Sequence, residues 1–76
     1  MKTLITEVNE KQRCKIISIS GSKRFLDRVG AMGLTPDTIV DIVQNRKRQP
    51  ILVYARDTMI AINRKECKNI LVKGVK

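Results

Sequence analysis

Apolar residues recur with a helical period at only one place in the chain. Phe25, Val29 and Met32 fall at i, i+4 and i+7, Leu26 widens the stripe, and Lys23, Arg24, Asp27 and Arg28 lie largely opposite. The spacing predicts a helix over Ser22–Met32. Ser22 is a good N-cap, Gly33 is placed for the left-handed stop, Leu34 can fold back on the last turn, and Pro36 prevents continuation. Gly30 inside the helix costs up to about 1 kcal/mol against alanine, and a close contact with a neighbouring strand would explain it.

Elsewhere the pattern is β-branched and short. Arg13–Ser20 reads as a strand, broken by Gly21-Ser22. Thr38–Gln44, Ile51–Arg56, Thr58–Ile62 and Asn69–Val72 follow as four more strands. A basic hairpin loop, residues 45–50, separates the first two of these, and Arg56-Asp57 is a tight turn without the usual Asn-Gly. Leu4–Glu10 reads as a helical turn with Thr6 as a cap, and Asn63 caps a second turn running to Lys68. Apolar residues occupy both parities of most strands (Ile39 and Val43 beside Val40 and Ile42), so periodicity does not set the inward face. The element order predicts a mostly β single domain over residues 1–76. It would be a small closed barrel of about five short strands, with one α-helix after the first strand.

Length and composition narrow the chemistry. A chain of 76 residues buries only about 60% of its open-chain surface, which makes one small core. The sequence has no histidine, so the commonest general base and metal ligand are missing. Cys14 and Cys67 are far apart and neither has a C-x-x-C partner. Gly30-Ala31-Met32-Gly33 matches neither a dinucleotide fingerprint nor a phosphate loop. No catalytic residue, cofactor or metal ligand is therefore expected. No apolar run is long enough to cross a bilayer, and no signal-peptide pattern opens the chain, so a cytoplasmic location is expected.

Charge changes the picture more. A net +9 points to nucleic acid, anionic lipid or an acidic protein. Nucleic-acid binding by a small basic barrel fits the charge. It is opposed by the aromatic content, since Phe25 and Tyr54 are the only residues on which bases could stack. Recognition of proline-rich peptides needs an aromatic-lined groove, which one Tyr and no Trp supply poorly.

The segment Arg28-Val29-Gly30-Ala31-Met32-Gly33-Leu34-Thr35-Pro36-Asp37-Thr38-Ile39-Val40 resembles the helix exit of the FeoA family, small cytoplasmic proteins of bacterial ferrous-iron transport. That family shows M-G-L-x-P-G followed by a strand. Its later features are matched here by Ile60-Ala61-Ile62-Asn63, Arg64-Lys65-Glu66-Cys67 and Ile70-Leu71-Val72, and its opening by Ile5-Thr6-Glu7-Val8. Four features depart from the pattern. Asp37 and Lys11 stand where glycine is usual, Asn63 replaces an arginine, and Arg46-Lys47-Arg48 replaces a glycine-rich tip. The resemblance implies an SH3-like barrel that assists or regulates the FeoB-type transporter by binding its cytoplasmic part, and the missing catalytic residues make it non-enzymatic. The barrel appended to metal-dependent repressors is similar in fold, but no helix-turn-helix precedes it in this sequence, so DNA reading of that kind is not expected.

An interface of this kind favours an aromatic or aliphatic anchor with arginine nearby. Phe25 or Leu26, flanked by Arg24 and Arg28, is the candidate anchor, and Arg46, Lys47 and Arg48 are the candidate electrostatic contact. Adjacent helix positions are about 100° apart, so a small core can bury one of Phe25 and Leu26 and leave the other at its rim. Met32-Gly33-Leu34 and Cys14 have ready structural explanations, whereas Cys67, beside a helical turn, is a candidate reactive thiol.

Overall fold

A computed structural model describes residues 2–75. β1 (Thr3–Leu4) leads into a 3₁₀ turn over Ile5–Glu7, then β2 (Arg13–Ile19), α1 (Lys23–Ala31), β3 (Ile39–Gln44), β4 (Ile51–Ala55) and β5 (Thr58–Ile62). A one-turn helix, α2 (Arg64–Cys67), precedes β6 (Ile70–Gly74). Every pairing is antiparallel, and the sheet order is β1-β6-β2-β3-β4-β5. No described helix is long and apolar enough to cross a membrane.

This is the mostly β arrangement expected, and it is consistent with an SH3-like fold, but three particulars are corrected. The described residues form six strands rather than about five, and the helix follows the second strand rather than the first. The added strand is only Thr3–Leu4, held by Thr3↔Val72 and Leu4↔Leu71, and two residues carry no readable alternation. The sheet is also open rather than a closed barrel. β1 pairs with β6, and no ladder joins it to β5 at the far edge. Thr6 does not cap the first turn. Leu4 holds that position, and the Glu7 carboxylate accepts the Leu4 N–H (3.3 Å) and the Thr3 hydroxyl (3.1 Å).

The sheet curls around one core. Cys14 and Ile16 of β2, Val40 and Ile42 of β3, Ile51 and Val53 of β4, Ile60 and Ile62 of β5, and Ile70 and Val72 of β6 all point inward. The opposite parity carries Ile39, Val43, Tyr54 and Met59, which are exposed, and this is why alternation could not be read. Bulges at Ile16/Ser18 of β2 and Ile42/Gln44 of β3 help bend the ladder.

Helix α1 is bounded as its sequence requires. Ser22 Oγ accepts the Phe25 N–H at 3.1 Å. At the other end Gly33 takes φ +95°, its N–H bonds to Gly30 C=O (3.0 Å), and the Leu34 N–H bonds to Val29 C=O (2.8 Å). That is the Schellman pairing, and Leu34 beyond it is buried. Gly30 does not have the strand contact that would have explained it. An added Cβ there meets nothing within 4 Å. Lys11 (φ +70°) and Asp37 (φ +75°), the two positions where glycine is usual, are both left-handed, as are Arg56 and Asp57 of the tight turn.

Candidate functional site

Helix α1 presents the first group of candidate residues. Phe25 is only 4% exposed and packs in the core, so its ring is not available as an anchor. The neighbouring Leu26 is 37% exposed, with Arg24 exposed beside it. This divides the two as adjacent helix positions around a small core require. Arg28 lies with its guanidinium carbon 5.6 Å from the Phe25 ring centroid, within cation–π range, and donates to the Glu66 carboxylate of α2.

The second group sits on the β3–β4 loop. Arg46 reaches Glu10 (3.4 Å), while Lys47 and Arg48 are exposed, Arg48 at φ +65°. The sequence groups this loop with the helix anchor as one interface but names no residue that connects them. The structure joins them through α2. Its Glu66 holds Arg28, and its Arg64 donates to Asn45 Oδ1 and to the Arg46 C=O, both at 2.6 Å.

Asn45 is the hub of that connection. Its Nδ2 donates to the carbonyls of Thr6 (3.0 Å) and Val8 (2.7 Å), and its backbone N–H donates to Glu10 (2.8 Å). One side chain thus ties the β3–β4 loop, the 3₁₀ turn with the residue that follows it, and α2 together. Sequence spacing could not reveal it, because its partners are 19 to 39 positions away.

The consequence is electrostatic. Glu66 and Glu10 partly neutralise Arg28 and Arg46. Among the described residues no ion pair involves Arg24, Lys47, Arg48, Lys65 or Lys68, so the α1–α2–loop connection carries a group of unpaired cations. On the opposite part of the sheet, Arg13 pairs with Asp41 (2.8 Å), which raises the guanidinium pKa.

The thiols are not placed for chemistry. Cys14 and Cys67 are fully buried and free. Burial, with a smaller contribution from Asp41, pushes Cys14 up to about 11. Burial likewise pushes Cys67 to about 11, with Arg64 opposing and Glu66 assisting, and its S–H points at the Ile62 carbonyl (3.7 Å). Such a thiol is a core residue rather than a nucleophile. Among the described residues no three His, Cys, Asp or Glu side chains gather as a metal site would require. What the surface offers is an exposed leucine beside unpaired cations.

The FeoA domain family matches residues 3–74. No curated protein matches the chain. Among solved structures, the crystal structure of an iron uptake regulatory protein (FeoA) superposes with a TM-score of 0.89 at 19% identity, covering 99% of this chain and 100% of that one. The FeoA protein from Chlorobium tepidum gives 0.89 at 17% identity, with 97% and 71% covered. T. acidophilum IdeR gives 0.88 at 19% identity, but this chain spans only 34% of it. At these identities the likeness is one of fold.

Proposed function

The chain belongs to the FeoA family, and from that membership we propose that it is a non-enzymatic accessory of ferrous-iron uptake that binds the cytoplasmic part of a FeoB-type membrane transporter. The observation that carries this reading is the family match over residues 3–74. The surface supports it. Leu26 is a large apolar side chain at 37% exposure, and Arg24, Lys47, Arg48 and Lys65 lie on the connected elements without acidic partners among the described residues. A docking site of that composition takes an acidic protein surface with an apolar pocket at its centre.

The test is a titration against the transporter's cytoplasmic domain across a salt series. Leu26→Ala should weaken binding about thirtyfold, the effect of losing roughly 2 kcal/mol at a central anchor. Arg48→Ala should cost far less and act mainly on the on-rate and salt dependence. Leu26 lies outside the buried core, so the variant separates docking from folding. Unchanged transporter binding in Leu26→Ala would refute the anchor. Steeply salt-dependent binding to RNA or DNA, with none to the transporter, would refute the partner. Tyr54 is the only exposed aromatic among the described residues, which weighs against base stacking.

A further inference from the structure

The β5 edge is open. β5 pairs with β4 through an uninterrupted register from Ala55↔Thr58 to Ile51↔Ile62 and, among the described residues, with no strand on its other side. Its connection to β4 is a two-residue turn with Arg56 at φ +51° and Asp57 at φ +63°, as a type I′ turn requires. That geometry makes Ala55 and Thr58 a hydrogen-bonded pair, and antiparallel pairs then alternate. Val53–Ile60 and Ile51–Ile62 are bonded in their turn. Tyr54–Met59 and Leu52–Ala61 are not. Met59 and Ala61 therefore aim their N–H and C=O groups away from β4, toward the open edge. Both residues are exposed, and no backbone hydrogen bond from another described segment reaches them.

Sheet edges are normally protected by brevity, charge, proline or a bulge. β1, at the other edge, is two residues long. β5 reads Thr-Met-Ile-Ala-Ile and has none of the four protections. Its outer face is apolar, with Met59 at 54% and the cross-strand Tyr54 at 40% exposure. The two ends of β5 differ in charge. Arg56 and Asp57 offset each other at its start. At its far end Arg64 holds the β3–β4 loop, and Lys47, Arg48 and Lys65 stand exposed without ion pairs among the described residues.

We propose that β5 is a strand-addition site for an extended acidic segment of a partner protein. The added strand runs antiparallel to β5. Its central residues bond to Met59 and Ala61, alternate apolar side chains cover Met59 and Tyr54, and acidic residues at its N-terminal end meet Lys47, Arg48 and Lys65. A second copy of this chain is the poorer occupant, because pairing would bring together two molecules of net charge +9. The site shares Lys47, Arg48 and Lys65 with the surface assigned to the transporter but not Leu26, and the backbone pairing at Met59 and Ala61 is tested without the transporter.

The experiment is an amide NMR titration of the full chain with a blocked nonapeptide, three glutamates followed by alternating valine and threonine. The Met59 and Ala61 amides should shift and exchange more slowly with solvent, and affinity should fall as salt rises. Two changes each should weaken binding about tenfold or more: N-methylation of the peptide residues facing Met59 and Ala61, and Ala61→Pro in the protein. Moving the glutamates to the peptide's C-terminal end should also weaken it. The N-methylated peptide leaves the protein untouched, so the test survives if Ala61→Pro fails to fold. Equal affinity for the N-methylated peptide, or shifts centred elsewhere, would overturn the proposal. So would protection of Met59 and Ala61 that rises with protein concentration in the absence of peptide, together with a sedimenting dimer, which would assign the edge to a second copy.

Discussion

Two glycines three positions apart at the end of α1 should respond to the same substitution with opposite signs. Gly30 is exposed, has helical neighbours on both sides, and offers an added Cβ open space. Gly30→Ala therefore removes only the entropic cost of helical glycine, about 0.5–1 kcal/mol, with the lower figure apt so close to the helix end. Gly33 sits at φ +95°, where a side chain is strained, and its Cβ would lie 2.7 Å from Arg56 Cδ. That carbon is on a flexible, exposed side chain and can move, so the backbone term decides. Left-handed backbone costs an ordinary residue about 1–2 kcal/mol, offset by about 0.4–1 kcal/mol from a stiffer unfolded chain. Gly33→Ala should lose about 1 kcal/mol. For a domain of this size about 1 kcal/mol moves Tm by roughly 4–8 °C. Thermal unfolding by circular dichroism should show Gly30→Ala raised by about 2–4 °C and Gly33→Ala lowered by about 4–8 °C. A lowered Tm for Gly30→Ala, or shifts of the same sign for both, would refute the reasoning.

Three further outcomes are expected. Lys11, at φ +70° and exposed, uses only its backbone N–H to hold the Ile42 carbonyl (2.7 Å); Lys11→Gly should raise the urea midpoint and Lys11→Ala should not. Asn45→Ala breaks side-chain bonds to Thr6, Val8 and Arg64 and should cost about 2–4 kcal/mol in urea unfolding, far more than Arg28→Ala, which loses a half-exposed ion pair. Both thiols titrate from 9.0 up to about 11 in the folded chain, so between those values the unfolded state binds fewer protons; stability should be full below pH 9 and fall as pH rises toward 11, with native thiols inert to alkylation at pH 8. Rapid native labelling, or urea midpoints that stay level to pH 10.5, would count against that account.

How much was legible depended on whether the cause was local. Ser22, Gly33 and Pro36 bound α1 through their own backbone chemistry, and each is readable from its neighbours. Lys11 and Asp37 stand where the family pattern has glycine, and both adopt the left-handed backbone that glycine favours. β1 was not, because Thr3–Leu4 is a strand only by virtue of Val72 and Leu71. The inward face was hidden for a related reason: Ile39, Val43 and Met59 place apolar residues on the outer parity, which suits a contact surface and defeats alternation. Of the candidate site, the sequence supplied Leu26 and the arginines but not Asn45, whose role is made entirely of contacts distant in sequence. Phe25 and Leu26 could be separated only once the direction of the core was known.

The place of β6 in the sheet also governs the order in which the molecule can assemble. It is the last described strand, yet it lies between β1 and β2, its Ile70 and Val72 side chains completely buried. The β3–β4–β5 meander has short connections and can form early at little loop-closure cost. β1 has no neighbour in the sheet until β6 arrives, and that contact closes a loop spanning nearly the whole chain. The native core should thus be completed in one late step that docks both strands together. Substitutions at Val72 should chiefly accelerate unfolding, and those at Val53 should slow folding. A nascent chain that has not yet reached Ile70 would hold its early strands in waiting, with β2 lacking one of its two neighbours and the basic loop already displayed.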